Sequence, residues 1–136
     1  MGKNVGFVSF RLSGTDGVSL ETKKWAEVLE GNGYNSFYLA GELDTAEERS
    51  MVCEDMHFQT EQARTLYDGC FNQQRRPRSL TREIHRVRSR IKDALYEFVE
   101  RFDIDILIPE NVITIPLNIP LGIAITEMVE ETGINT

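Results

Sequence analysis

Two hydrophobic periods alternate along this chain. Val5-Gly6-Phe7-Val8-Ser9-Phe10 is a short run of apolar β-formers, the pattern of a strand buried on both faces. A loop from Arg11 to Gly17 follows. Beyond it, Val18, Trp25, Val28 and Leu29 fall on one side of a helical wheel, with Glu21, Lys23, Lys24 and Glu27 elsewhere, so an amphipathic helix is predicted. Asp16 stands where an N-cap belongs, and Gly31-Asn32-Gly33 supplies residues suited to a left-handed stop. Tyr34 to Ala40 alternates and is aromatic, which predicts a second strand. These pieces form one βαβ unit, expected to be parallel and right-handed.

The next stretch, Gly41 to Phe58, is marked as solvated by Glu42, Asp44, Glu47 and Glu48, and Ser50-Met51-Val52-Cys53 is a candidate short strand within it. From Thr60 to about Phe71, Ala63, Leu66, Tyr67 and Cys70 make a modest helical stripe that Gly69 weakens. After Pro77 the helical period is strong: Leu80, Ile84, Val87, Ile91, Leu95, Phe98 and Phe102 recur at steps of three or four. Ser79 is the expected cap. Ile104-Asp105-Ile106-Leu107-Ile108-Pro109 predicts a buried strand, and Pro120 opens a helix carrying Leu121, Ile125 and Met128 that ends near Gly133. Asn118 or Ile119 is its expected cap, and Ile134-Asn135-Thr136 has the character of a further strand's opening.

Strands alternating with helices predict an α/β fold, a Rossmann-like three-layer α/β/α domain with a mainly parallel sheet. Ligands of such sheets bind outside the carboxyl ends of the strands. Attention therefore falls on the loops Arg11 to Gly17, Gly41 to Phe58 and Glu110 to Asn118.

The length of 136 residues suits one domain. A net charge of −7 argues against a general nucleic-acid binder, and no nucleic-acid partner is expected. Cys53 and Cys70 lack the spacing of a zinc site or redox pair, so they are expected to be small reduced residues, and the chain cytoplasmic. The apolar region Ile104 to Ile125 is interrupted by Asp105, Glu110, Asn111, Asn118 and prolines, which makes it a poor membrane span. His57, in Glu54-Asp55-Met56-His57-Phe58, has no second histidine or cysteine at ligand spacing. No metal is expected.

The glycine-bearing loop joins a strand to a helix N-terminus, where backbone N–H groups and the helix dipole favour an anion. Gly14, Thr15 and Gly17 are the candidate phosphate loop. A tight turn entering a helix accounts for the same glycines. The dinucleotide fingerprint requires two glycines one residue apart, which Gly14-Thr15-Asp16-Gly17 does not offer, although Glu42 sits where a ribose-binding acid would stand. A P-loop is excluded because no Gly-Lys-Ser/Thr follows. Arg11 and Asp16 flank the loop, Arg11 able to reach an acceptor carboxylate or phosphate and Asp16 serving as cap. Glu110 and Asn111 follow a buried strand where the crevice should lie. A carboxylate and an amide there can hydrogen-bond sugar hydroxyls, or cap the next segment.

The order strand, Gly14-Thr15-Asp16-Gly17-Val18-Ser19, helix with Trp25-Ala26-Glu27-Val28-Leu29, Gly33-Tyr34, strand resembles the start of a retaining glycosyltransferase of family four, group one. The resemblance is clearest over residues 4–41 and returns in Asp103 to Asn111 and in Glu131 to Thr136. It implies a GT-B architecture of two facing Rossmann-like domains, with residues 1–136 as the single N-terminal, acceptor-side domain. The C-terminal nucleotide-sugar domain would then be absent from this chain and the fragment inactive alone. The implied donor is a nucleotide-diphosphate sugar, with no other cofactor. The implied partners are the missing C-terminal domain and a sugar or phosphorylated small-molecule acceptor, with Arg11, Asp16, Glu110 and Asn111 on the acceptor side. Gly14 and Gly17 match the family's donor-side glycine loop by position, but Asp16 replaces the first of its usual paired glycines. The rival readings are a stand-alone Rossmann-like binding module and an NAD-dependent oxidoreductase domain.

Arg75, Arg76, Arg78, Arg82, Arg86, Arg88, Arg90 and Lys92 concentrate basic charge in one segment of an acidic chain. Arg82, Arg86 and Arg90 share a helix face. A solvated helix surface accounts for them, as does contact with an anionic acceptor, an acidic patch on a partner domain, or an acidic membrane that the protein touches peripherally.

Overall fold

A computed structural model describes residues 2–136. The elements in chain order are β1 (Asn4–Ser9), α1 (Gly17–Gly31), β2 (Asn35–Ala40), β3 (Ser50–Val52), α2 (Glu61–Phe71), α3 (Arg78–Phe102), β4 (Ile106–Pro109) and α4 (Ile119–Thr132), with 3₁₀ turns at Glu47–Arg49 and Glu54–Met56. The strands make one parallel sheet in the order β3-β2-β1-β4. Parallel strands carry backbone bonds on both edges and helices on both faces, which is why β1, in the middle, is buried from Val5 onward.

Side chains alternate across the sheet. Val5 and Phe7 of β1, with Ala40, Ile106 and Ile108, pack toward Ala26 of α1. Val8, Leu39 and Leu107 pack the other way, against Leu66 of α2, the Ile84–Val87–Ile91–Leu95–Phe98 stripe of α3 and Leu121, Ile125 and Met128 of α4. The result is the three-layer α/β/α arrangement expected from the sequence. Gly6 allows the close approach of α3 to β1: a Cβ there would stand 2.6 Å from the Phe98 ring. Asn135 also bridges Ile106 in parallel, its carbonyl accepting from Leu107 N–H at 2.8 Å, so residues after α4 return alongside β4.

Two expectations need correction. The face of α1 on the sheet is Ser19, Thr22 and Ala26, whereas Trp25 and Val28 are 52% and 58% exposed. Small side chains let the helix lie close to the strands; Trp25 and Val28 turn outward, while Val18 and Leu29, as expected, are partly buried against the same cluster. Ser79 does not cap α3; Pro77 occupies that position, its carbonyl accepting from Leu80 and Thr81 while its ring fixes the backbone before the first turn. Asp16, Thr60 and Asn118 do cap their helices, accepting from Ser19, Ala63 and Leu121 N–H at 3.0, 3.1 and 3.2 Å.

Candidate functional site

Strand register builds the crevice. Val8 lies beside Pro109 in the parallel β1–β4 pair, and Glu110 N–H donates to the Val8 carbonyl at 2.7 Å. The residues that follow the two strands, Phe10 and Arg11 on one side and Glu110 and Asn111 on the other, are thereby brought together across about 100 positions of sequence. They line a cleft of about 220 Å³ with Ser9, Asp16, Val18, Phe58, Ile115 and Leu117. All four residues named for the acceptor side, Arg11, Asp16, Glu110 and Asn111, meet in it.

Glu110 is half-buried, and its carboxylate forms no hydrogen bond or ion pair among the described residues. Burial, reinforced by Glu21, raises its pKa above the ordinary 4.5. Asn111 adopts a left-handed conformation, φ 64°, a region asparagine tolerates better than most residues. One wall of the cleft therefore offers a carboxylate and an amide. Phe10, Phe58, Ile115 and Leu117 make the apolar remainder, with Phe10 and Phe58 in edge-to-face contact at 5.9 Å between centroids. Arg11 is held at the rim by the Glu42 carboxylate and lies 3.9 Å from Asp16. Glu42, the would-be ribose acid, is thus engaged with an arginine.

The glycine loop is already occupied by the protein's own acceptors. Gly14, at φ 78°, donates its N–H to Asp44 Oδ2 at 2.8 Å; Ser13 N–H donates to Ser19 Oγ at 3.0 Å, and Ser19 N–H to Asp16. Leu12 N–H donates to the Glu42 carbonyl and Asp44 N–H to the Leu12 carbonyl, closing the two loops on each other. Thr15 and Gly17 are exposed and do not line the cleft. The roles of Phe58, Ile115, Leu117 and Asp44 were not legible in the sequence, because each comes from a loop placed only by tertiary packing. The advance signals were the strand-end position of the loops Gly41 to Phe58 and Glu110 to Asn118, which hold all four, and the acidity around Asp44.

Arg82, Arg86 and Arg90 stand on α3, away from the cleft. Arg86 Nε donates to Glu83 at 2.9 Å, and Arg90 makes a two-pronged contact with Asp55 at 3.0 Å on each arm. The Arg86 bond, aided by Gln62, holds the Glu83 carboxyl down at about 2. Arg88 and Lys92 reach Glu127 on α4 at 2.9 and 3.0 Å, and Lys92 and Tyr96 also bind Glu131. Arg82 has no ion pair among the described residues.

His57 accepts the Gln59 N–H at Nδ1 and stacks on Phe58. Burial, with Asp55 nearby, pushes the Cys53 thiol up to about 11, so it stays protonated and a poor nucleophile at neutral pH. Asn118 is buried, and beyond its capping role its amide donates to the carbonyls of Asp55 and His57 at 2.7 and 3.1 Å. It ties the loop carrying Phe58 to the start of α4. No described helix is long and apolar enough to cross a membrane.

These features define an α/β domain with a small, mixed polar and apolar crevice at the carboxyl ends of two central strands. The chain is 25% identical over 141 aligned positions to the mannosylglucosylglycerate synthase of Petrotoga mobilis (strain DSM 10674 / SJ95). The match covers 96% of this chain and 30% of that protein, so the chain spans about a third of its relative's length. No family model and no solved structure matches the chain.

Proposed function

We propose that this chain is the acceptor-side, N-terminal domain of a GT-B retaining glycosyltransferase, which moves a sugar from a nucleotide-diphosphate donor to an acceptor hydroxyl. The observation that carries the reading is the convergence of Arg11, Asp16, Glu110 and Asn111 in one cleft at the strand ends. The cleft's volume of about 220 Å³ falls below the roughly 300 Å³ at which drug-sized pockets begin, and suits one sugar ring or a short polyol. The relative's name specifies a glycosylated glycerate, and a carboxylate-bearing polyol fits the chemistry here: Arg11 takes the carboxylate while Glu110 and Asn111 hydrogen-bond hydroxyls. The nucleotide-diphosphate site belongs, in this reading, to a second domain of a longer protein, and the present domain is inactive alone. A diphosphate approaching Gly14 would displace Asp44 from its N–H, which limits the glycine loop to an indirect part. The oxocarbenium-like transition state is stabilised mainly by charges around the departing diphosphate, with no metal required.

Glu110→Ala and Asn111→Ala, introduced into the protein that carries both domains, are expected to lower kcat/KM for the acceptor by about tenfold or more without changing the folded state. Unaltered kinetics in both variants would remove the assignment.

A further inference from the structure

A second cavity lies apart from the cleft. It is a groove of about 590 Å³ between the end of α2, the first half of α4 and the loop after β4, with Phe71, Arg76, Val112, Ile113, Ile119 and Ile123 in its lining. Phe71 and Ile113 are 53% and 54% exposed. Isolated exposed apolar residues are ordinary, but a contiguous group around a groove marks a contact surface.

The chain segment entering α3 beside this groove is cationic, opposite to the whole molecule, while the one carboxylate in the lining, Glu127, is paired with Arg88 and Lys92. Between Asp68 and Glu83 the chain contains Arg75, Arg76, Arg78 and Arg82 and no acidic residue, in a protein of net charge −7. All four arginines are exposed, and none forms an ion pair among the described residues. Arg86, Arg88, Arg90 and Lys92, further along α3, are committed to Glu83, Glu127, Asp55 and Glu131. Lys3, Lys23, Lys24, Arg64 and Arg101 also lack an ion pair among the described residues, but only the 75–82 segment groups four such cations, and it borders the exposed apolar residues.

We propose that this face docks the protein peripherally on an anionic lipid surface, with Phe71 and Ile113 entering the interface and Arg75, Arg76 and Arg78 facing the headgroups. Charge complementarity favours an acidic bilayer over a neutral one. The apolar group favours a bilayer over a nucleic acid, because the stacking partners a single strand needs are not interleaved with these arginines. The other exposed apolar group, Leu20, Trp25 and Val28, lies on α1 across the sheet and stays in water.

Co-sedimentation of this chain with phosphatidylcholine vesicles and with mixed phosphatidylcholine–phosphatidylglycerol vesicles tests the proposal. Binding is expected only to the mixed vesicles, falling with salt. At about 1 kcal/mol per basic residue, R75Q/R76Q/R78Q should weaken the partition roughly a hundredfold. F71S/I113S, changing exposed positions and checked for folding by circular dichroism, should weaken it at every salt concentration. K23Q/K24Q on α1 should leave it unchanged. Trp25, the chain's single tryptophan, should keep its emission wavelength on binding. Failure of the folded chain to bind the mixed vesicles, or equal binding to neutral ones, would overturn the proposal. So would full binding by F71S/I113S, which would point to a purely ionic contact, and a blue shift of Trp25, which would move the contact to α1.

Discussion

Glu110 is the residue whose surroundings differ most from those of an ordinary surface carboxylate. It is half-buried, has no cation against it, and shares its field with Glu21, so its folded pKa lies above the ordinary 4.5. A raised carboxyl pKa means the folded state holds its proton to higher pH than the unfolded one, and this stabilising contribution is lost as pH rises through the folded pKa. Glu110→Gln should therefore raise the melting temperature relative to the parent at neutral pH, and the difference should vanish below about pH 4.5, where both states are protonated. Melting curves across pH check this; a lower melting temperature for Glu110→Gln at neutral pH would show that Glu110 is stabilised as a carboxylate, and a difference that persists in acid would show that its charge is not the cause. The sequence singled out Glu110 and Asn111 from the strand before them. It carried no sign of the left-handed φ of Asn111, or of Asp44 on the Gly14 N–H, since both depend on how loops about thirty residues or more apart are seated.

At the scale of elements, strong periodicity was a reliable guide. The α3 stripe from Ile84 to Phe98 is buried as its three-and-four spacing required. The weaker pattern of α1 misled, because hydrophobicity alone assigns Trp25 and Val28 to the inside, whereas proximity to the sheet selects Ser19, Thr22 and Ala26. That choice has a cost: the Thr22 hydroxyl is buried with no hydrogen-bond partner among the described residues. Thr22→Val keeps the shape and the β-branch while removing the stranded hydroxyl, and should raise stability by about 1 kcal/mol. Urea unfolding measures this, and destabilisation would mean that the hydroxyl is satisfied in solution. The capping residues Asp16, Thr60 and Asn118 were legible because the side-chain chemistry is local, while Pro77 displaced Ser79 through backbone geometry.

At the scale of the molecule, the parallel order β3-β2-β1-β4 brings the ends of β1 and β4 side by side, and the cleft follows from that adjacency. Alternating strands and helices foretold the layers and directed attention to the strand ends. They did not reveal the apolar wall of Phe58, Ile115 and Leu117, which Asn118 helps to hold by binding the Asp55 and His57 carbonyls. The central claim is that this cleft receives the acceptor of a glycosyl transfer. Proton–nitrogen correlation spectra of the chain titrated with glycerate, the simplest carboxylate-bearing polyol consistent with the relative's name, test it most directly. The account predicts saturable shifts centred on the backbone amides of Arg11, Glu110 and Asn111, lost in Glu110→Ala. Saturable shifts centred elsewhere, or none at any of these three residues, would contradict it.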